Sequence, residues 1–425
     1  MPSNFTAPRG TQDFVPPESD RWIELEARIH ALAARFGYGE IRTPIFESTE
    51  LFVRGVGGDT DIVEKEMYTF VDRGSRSLTL RPEFTAPVVR AVLEHHLLAQ
   101  GPLRLYYVGP IFRYERPQKG RYRQSHQFGV ECFGFAGAEA DFEVISLAWE
   151  LARSYGIHDA TLNVNSIGDE TCRPAYRQAL LDHFRPHLEK LGEDSRRRLE
   201  RNPLRLLDSK DPADAPYLAT APTFESMLCP ACREHFDALK GYLELAGIPF
   251  VVNPRIVRGL DYYDHTVFEI VSSALGAQST VCGGGRYDGL VRSLGGPDTP
   301  GVGFALGLER FLMVVEALGA GRPRPRRGIQ AIALGAQART ALVPIVAELR
   351  RLEVPAFMDY GDRKLLAHLK TADKNGARYA LILGSDELAA GTVVLRDLEL
   401  RTDRRLSLGD GKDVAAALVE ATTDG

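Results

Sequence analysis

The sequence predicts an α+β protein: a catalytic unit on a mostly antiparallel sheet, a helical insertion within it, and a separate α/β domain after it. Three observations carry the prediction. Strand-like runs succeed one another between residues 41 and 133, joined by glycine or charged turns. From about Asp169 to Ile248 strand signals vanish, and helical and charged residues such as Arg196-Arg197-Arg198 dominate. Beyond Gly319–Gly328, a linker rich in Gly, Pro and Arg, strand and helix alternate. At 425 residues the chain exceeds one ordinary core, so two or three domains are expected.

The first helix opens after Pro16-Pro17-Glu18-Ser19-Asp20. Trp22, Leu25, Ile29, Leu32 and Phe36 recur at helical spacing, and Gly37 closes it. Ile41 to Phe46 reads as a strand entered through Thr43-Pro44, followed by strands at Met67–Val71, Ser77–Leu80, Leu103–Phe112 and Gln127–Phe133. Phe142–Tyr155 reads as a helix and Ala160–Asn165 as a strand. After the insertion, strands resume at Phe250 and run through Gly303, before a helix from about Leu306 to Leu318. The expected domains are thus 1–318, with the insertion at about 169–248, a linker at 319–328, and a last domain at 329–425. In that domain Ile329–Leu334, Ala356–Asp359, Ala380–Leu383, Thr392–Arg396 and Leu400–Leu406 read as strands. Ala341–Leu352, Leu365–Asn375 and Val414–Ala421 read as helices.

Composition bounds the function. Hydrophobic residues make up 44% and charged residues 26%, as in ordinary globular chains. Neither an apolar leader nor an 18-residue apolar run is present, so a cytoplasmic protein without a membrane partner is expected. The net charge of −5 gives no global case for nucleic-acid binding. Basic residues are instead bunched, with Arg113, Arg116, Lys119, Arg121 and Arg123 in one stretch, and such a patch can hold phosphates. Five scattered cysteines make no disulfide framework. Cys229-Pro-Ala-Cys232 is half a zinc pattern, but no second CxxC or HxxxH completes it, so no protein-held metal is expected.

Four segments could carry chemistry. Arg258-Gly-Leu-Asp-Tyr262-Tyr263-Asp-His-Thr-Val-Phe-Glu269 joins a permanent cation to paired tyrosines at the head of a β-branched strand. Phe112 to Glu131 forms a hairpin turning at 117–120. Alternation puts Gln127, Gly129 and Glu131 on one face, with Arg113 able to join them from the partner strand. Thr79-Leu-Arg81-Pro-Glu83-Phe-Thr85 ends a strand with Glu83 and Thr85 at alternate positions, suited to an ammonium group. Gly301-Val-Gly303-Phe-Ala-Leu-Gly307-Leu-Glu309-Arg310 is a glycine-bearing strand turning into a helix. There a flat ring can lie on backbone while Arg310 covers it or reaches phosphate.

Together these segments resemble the class II aminoacyl-tRNA synthetases. The 112–131 hairpin is similar to their motif 2, the 301–310 run to motif 3, and the strand around Pro44 to the dimer-forming motif 1. Arg258–Tyr263 and Gly283-Gly-Gly-Arg-Tyr-Asp-Gly-Leu290 resemble two peptides peculiar to the histidyl-tRNA synthetase family, and the likeness spans nearly the whole chain.

The resemblance implies an antiparallel class II catalytic domain and a C-terminal anticodon-binding domain. It further implies a homodimer and an ATP- and Mg²⁺-dependent ligation of L-histidine to histidine tRNA. Arg113 would bind the α-phosphate with Arg258 opposite it, Arg121 the pyrophosphate end, and Arg310 the adenine and γ-phosphate. Glu83, Thr85 and Gln127 would hold the histidine amino and carboxylate groups. Glu131 and Tyr263, with Tyr262 beside it, would meet the imidazole, and Arg116 and Gln118 the acceptor end of the tRNA. The alternative is a non-charging, synthetase-like regulatory subunit that senses histidine.

Overall fold

The computed structural model describes residues 5–58, 60–116, 118, 120–201, 203–209, 211–256, 260, 262–278, 280–320, 326–409 and 411–423. The chain divides into two compact units, Met1–Gly321 and Arg322–Gly425.

In the first unit, eight strands of the described residues form one sheet. In chain order the strands of this unit are β1 (Gly39–Glu40), β2 (Phe46–Ser48), β3 (Tyr68–Val71), β4 (Ser77–Leu80), β5 (Leu103–Phe112), β6 (Gln124–Phe133), β7 (Thr161–Ser166), β8 (Phe250–Val252), β9 (Asp264–Val271), β10 (Thr280–Arg286) and β11 (Gly301–Gly307). The large sheet runs β1-β5-β6-β11-β10-β9-β7-β8, with its central pairs antiparallel and the two outermost pairs parallel. A three-stranded antiparallel sheet, β2-β4-β3, stands apart from it.

Ile41 to Phe46 is not one continuous strand. Ile41 N–H donates to Tyr106 on the large sheet, whereas Ile45 accepts from Arg81 beside the small one. Pro44 has no N–H for a ladder, so the chain passes between sheets there instead of extending either.

The helices are α1 (Glu18–Arg35), α2 (Thr49–Val56), α3 (Thr85–Glu94), α4 (Ala138–Ser154), α5 (Arg173–Phe184), α6 (Glu193–Arg201), α7 (Ala215–Leu218), α8 (Pro230–Leu245), α9 (Leu290–Ser293) and α10 (Leu308–Ala317). Helix α4 covers one face of the large sheet and packs on α1 and α8. Register explains which residues meet it. Phe128, Val130, Phe304, Leu306, Phe268, Ile270, Leu162 and Val164 lie on one face, all buried. That face alone removes several large apolar side chains from water, at about 1.5–3 kcal/mol each. The opposite face carries Gly109, Gly129, Gly303, Gly307, Gly283 and Gly285, brought side by side by the same register. Between β7 and β8 the segment is helical among the described residues, from α5 to α8.

The second unit has strands β12 (Ile329–Ala333), β13 (Ala356–Met358), β14 (Tyr379–Leu383), β15 (Thr392–Asp397) and β16 (Asp403–Ser407), ordered β13-β12-β14-β15-β16. The first three are parallel and the last two antiparallel additions. Helices α11 (Ala336–Arg351), α12 (Leu365–Lys374), α13 (Ser385–Ala389) and α14 (Gly411–Thr423) complete it. The strand expected to begin at Leu400 begins instead at Asp403, because Arg401 adopts φ 58° in the preceding turn.

Candidate active site

The glycine-rich face of the large sheet carries two adjoining environments, linked by strand β6. At one end stands Glu131, 1% exposed. Its Oε1 accepts from Thr85 Oγ1 at 2.8 Å and from the Tyr107 hydroxyl at 3.1 Å, and its Oε2 accepts from the Tyr287 hydroxyl. Burial pushes the Glu131 carboxyl up to about 8, although these hydroxyls pull the other way. Tyr262 and Tyr263 complete the surround: their rings are 4.6 Å apart, and Tyr262 lies 5.6 Å from Tyr287, edge-on. Glycine makes the space: a Cβ on Gly303 would fall on Glu131 Oε2 and on the Val130 carbonyl, and one on Gly129 on the Tyr107 hydroxyl.

Glu83 and Thr85 reach this end differently from expectation. Strand β4 stops at Leu80, because Pro82 breaks the ladder, and Thr85 is the first residue of α3. Glu83 caps that helix, accepting the N–H of Thr85 at 2.6 Å and of Ala86 at 3.0 Å. Burial raises its carboxyl as well. Both residues still converge on the site, but as a helix start and not as alternate strand positions.

At the other end of β6 lies a cavity of about 220 Å³, with Arg113, Arg121, Gln127, Gly283, Gly307 and Arg310 among its lining. Arg113 follows β5 in register with the Gln127 face, and its Nε donates to the Pro82 carbonyl at 2.8 Å. Arg310, at the start of α10, donates to the carbonyls of Gly120 at 3.0 Å and Thr280 at 3.1 Å. Burial lowers its guanidinium, and the neighbouring Arg121 and Arg113 lower it further against the opposing pull of Glu115, so several cations meet in this cavity. Glu309 locks α10 to β6 by accepting from His126 N at 2.9 Å and lying 2.9 Å from its Nδ1. A Cβ on Gly307 would meet nothing within 4 Å, so backbone is open to a flat group there.

Gln127 sits between the two environments, and its Oε1 is buried with no hydrogen-bond partner. Such an orphaned acceptor is expensive unless a ligand N–H fills it. Arg116 and Gln118 are exposed at the hairpin tip, beyond the cavity lining. Arg258 lies outside the described residues. Tyr107 and Tyr287 were missed as site residues. Folding the hairpin about residue 118 pairs Tyr107 with Gly129, but a centre half a residue away reverses the faces. Tyr107 is held by a stack in which Arg81 covers Phe84 at 3.8 Å and Phe84 lies parallel to Tyr107 at 4.1 Å.

An antiparallel sheet with a hairpin arginine at one edge, and a glycine strand leading directly into an arginine-bearing helix, defines the catalytic domain of a class II aminoacyl-tRNA synthetase. The histidyl-tRNA synthetase family model matches residues 10–311, and an anticodon binding domain model matches residues 331–418. The chain belongs to the histidyl-tRNA synthetase family. It is 51% identical over 398 residues to the histidine–tRNA ligase of Pelotomaculum thermopropionicum, covering 92% of this chain and 93% of that protein. The histidine–tRNA ligase of a Geobacillus species is 51% identical over 400 residues, covering 93% and 94%. The crystal structure of apo S. aureus histidyl-tRNA synthetase superposes with a TM-score of 0.80 at 36% identity, covering 98% of this chain and 99% of that one. No helix among the described residues is long and apolar enough to cross a membrane.

Proposed function

We propose that this chain joins L-histidine to histidine tRNA in two steps. The histidine carboxylate attacks the α-phosphorus of ATP, the bond to the β-phosphate oxygen breaks, and pyrophosphate leaves. A hydroxyl of the tRNA's terminal adenosine then attacks the activated carbonyl, and AMP leaves. The observation that carries this reading is the orphaned Gln127 acceptor, set on one strand between a buried carboxyl and an arginine-lined cavity. A histidine laid along β6 would give its ammonium to Gln127 and Glu83 and its imidazole to Glu131 and Tyr263, leaving its carboxylate at the arginines.

The first step brings two anions together, and Arg113, Arg121, Arg310 and Arg258 would offset that repulsion. Mg²⁺ needs hard oxygen donors, and the Glu115 carboxylate, which lines the cavity with its Oε2 3.5 Å from Arg121 Nη1, would supply one. Bound there with phosphate oxygens, the ion would supply further positive charge. A box built to hydrogen-bond an imidazole rejects apolar analogues by about 10⁴–10⁵, so no editing step is required.

Arg116 and Gln118 would meet the acceptor end of the tRNA and the second unit its anticodon, placing the protein in the cytoplasm. A homodimer would cover Ile45, Phe46, Val53, Phe70 and Val71, apolar residues exposed on and beside the three-stranded sheet. Histidine-dependent exchange of pyrophosphate into ATP, without tRNA, tests the first step. Exchange with histidine alone among the amino acids is expected. Histidine binding without exchange would instead indicate a regulatory sensor.

A further inference from the structure

The half-pattern at Cys229 and Cys232 is completed by residues some sixty positions earlier. Asp169, Cys172, Cys229 and Cys232 bring one ligand atom each within 4.8 Å of one another. Tetrahedral zinc with metal–sulfur bonds of about 2.3 Å sets its sulfurs about 3.8 Å apart, so the four need little contraction. All five cysteines are free, and of these three Cys172 and Cys232 are buried.

Local structure holds the four in place. Cys172 precedes α5 and Cys229 precedes α8, with Cys232 in the first turn of α8, so three sulfurs gather at two helix N-termini. That end of a helix favours negative charge, and thiolate is the form that binds metal. Asp169 Oδ1 accepts the N–H of Thr171 at 2.9 Å and of Cys172 at 3.0 Å, which fixes its carboxylate. Cys229 N–H points at Cys172 Sγ across 3.1 Å, and His265 Nδ1 lies 3.6 Å from Cys232 Sγ. A sulfur that accepts a backbone N–H, and another held beside an imidazole nitrogen, face one another as a prepared ligand shell.

We propose that Asp169, Cys172, Cys229 and Cys232 form a structural zinc site that ties the first and last helices of the insertion together behind the tyrosine box. Soft thiolates select zinc over magnesium or calcium, and four protein ligands leave no open position for chemistry. Binding displaces the thiol protons to solvent and changes no oxidation state. The site clips a loop whose ends are 57 residues apart in sequence. It also lies next to the histidine box: Arg173, beside Cys172, donates to the Tyr263 carbonyl, and His265 exchanges backbone hydrogen bonds with Ile167 and Gly168.

The test is the metal content of the full chain, purified under reducing conditions without added metal or chelator. About one zinc per chain is expected, and cobalt substitution should give the thiolate charge-transfer and d–d bands of a tetrahedral, sulfur-rich centre. Cys172→Ser and Cys232→Ser should each lower zinc affinity at least about ten-fold. Zinc removal should lower the melting temperature, and re-addition should restore it. With histidine as substrate, KM should rise about ten-fold with kcat little changed, because Tyr263 loses support. Trace zinc, together with no shift in melting temperature when zinc is added to the reduced protein, would overturn the proposal. So would a disulfide among the three thiols in the native protein, seen as two thiols protected from alkylation. The metal readouts need no histidine, so they fail or succeed independently of the proposed ligation.

Discussion

Glu131→Gln keeps the shape of the side chain and removes its charge, and the consequences for stability and function run in opposite directions. Burial pushes the Glu131 carboxyl from 4.5 up to about 8. A carboxyl raised by folding keeps its proton in the native protein after the unfolded chain has lost it. Between those two pH values the native state holds more protons, so stability falls as pH rises, by about 1.4 kcal/mol per pH unit. By about pH 7.5 the accumulated cost is on the order of 4 kcal/mol, and below the unfolded value it is absent. Glutamine carries no such cost, and its carbonyl oxygen still accepts from the surrounding hydroxyls. Glu131→Gln should therefore match the parent near pH 5 and resist urea better near pH 8, while losing histidine-dependent exchange. Both tryptophans, Trp22 and Trp149, lie in the first unit, so their fluorescence follows its unfolding alone. Parallel pH dependence in the two proteins would refute the reasoning, because the buried carboxyl would then not be titrating as argued.

Three further outcomes are expected. Arg286 is fully buried and donates to Asp141, Asp288 and the carbonyls of Phe135 and Gly137. Arg286→Met should cost about 3–5 kcal/mol in urea unfolding by stranding Asp141, whereas a loss under about 1 kcal/mol would show the pair to be dispensable. Gly303→Ala puts a methyl on the Glu131 carboxylate and the Val130 carbonyl, so exchange should fall about 10²-fold, and unchanged kinetics would remove the glycine floor from the account. Arg258→Ala should lower adenylate formation about 10²–10³-fold with an unaltered circular dichroism spectrum, and adenylation at the parent's rate would end its proposed role.

Much of this arrangement was legible from residue pattern. Leu103–Phe112 has the bounds read from sequence, and the passage from Gly301 through Gly307 into an arginine-bearing helix appears as expected. What failed depends on contacts distant in sequence or on a half-residue of register. Glu83 and Thr85 alternate in sequence as strand residues do, and only the capping bonds made by Glu83 show that a helix starts there. Tyr107 could not be assigned a face until the hairpin centre was known, since a slip of one residue turns every side chain over. The sulfur cluster was not legible because a zinc pattern in sequence is two CxxC or HxxxH pairs, whereas here the second half is Asp169-x-x-Cys172.

The insertion makes best sense as part of the site's support. Helix α8 packs on α4, and its His235 Nε2 lies 3.3 Å from Asp141 Oδ2. Burial raises the Asp141 carboxyl, but Arg286 and His235 outweigh it and bring it down to about 2, so this carboxylate stays charged at working pH. Arg286 belongs to β10, the strand that also carries Gly283 and Gly285 of the floor. Arg173, the first residue of α5, meanwhile holds the Tyr263 carbonyl. The insertion thus reaches the glycine floor through the contact of His235 with Asp141, the carboxylate that pairs with Arg286 of β10, and the tyrosine box through a backbone carbonyl. A displacement of either terminal helix must strain one of these contacts. Variants that loosen the insertion should accordingly raise KM for histidine before they alter the arginine-lined cavity, which draws on β5, β6, β10, β11 and α10 and on none of the insertion's helices.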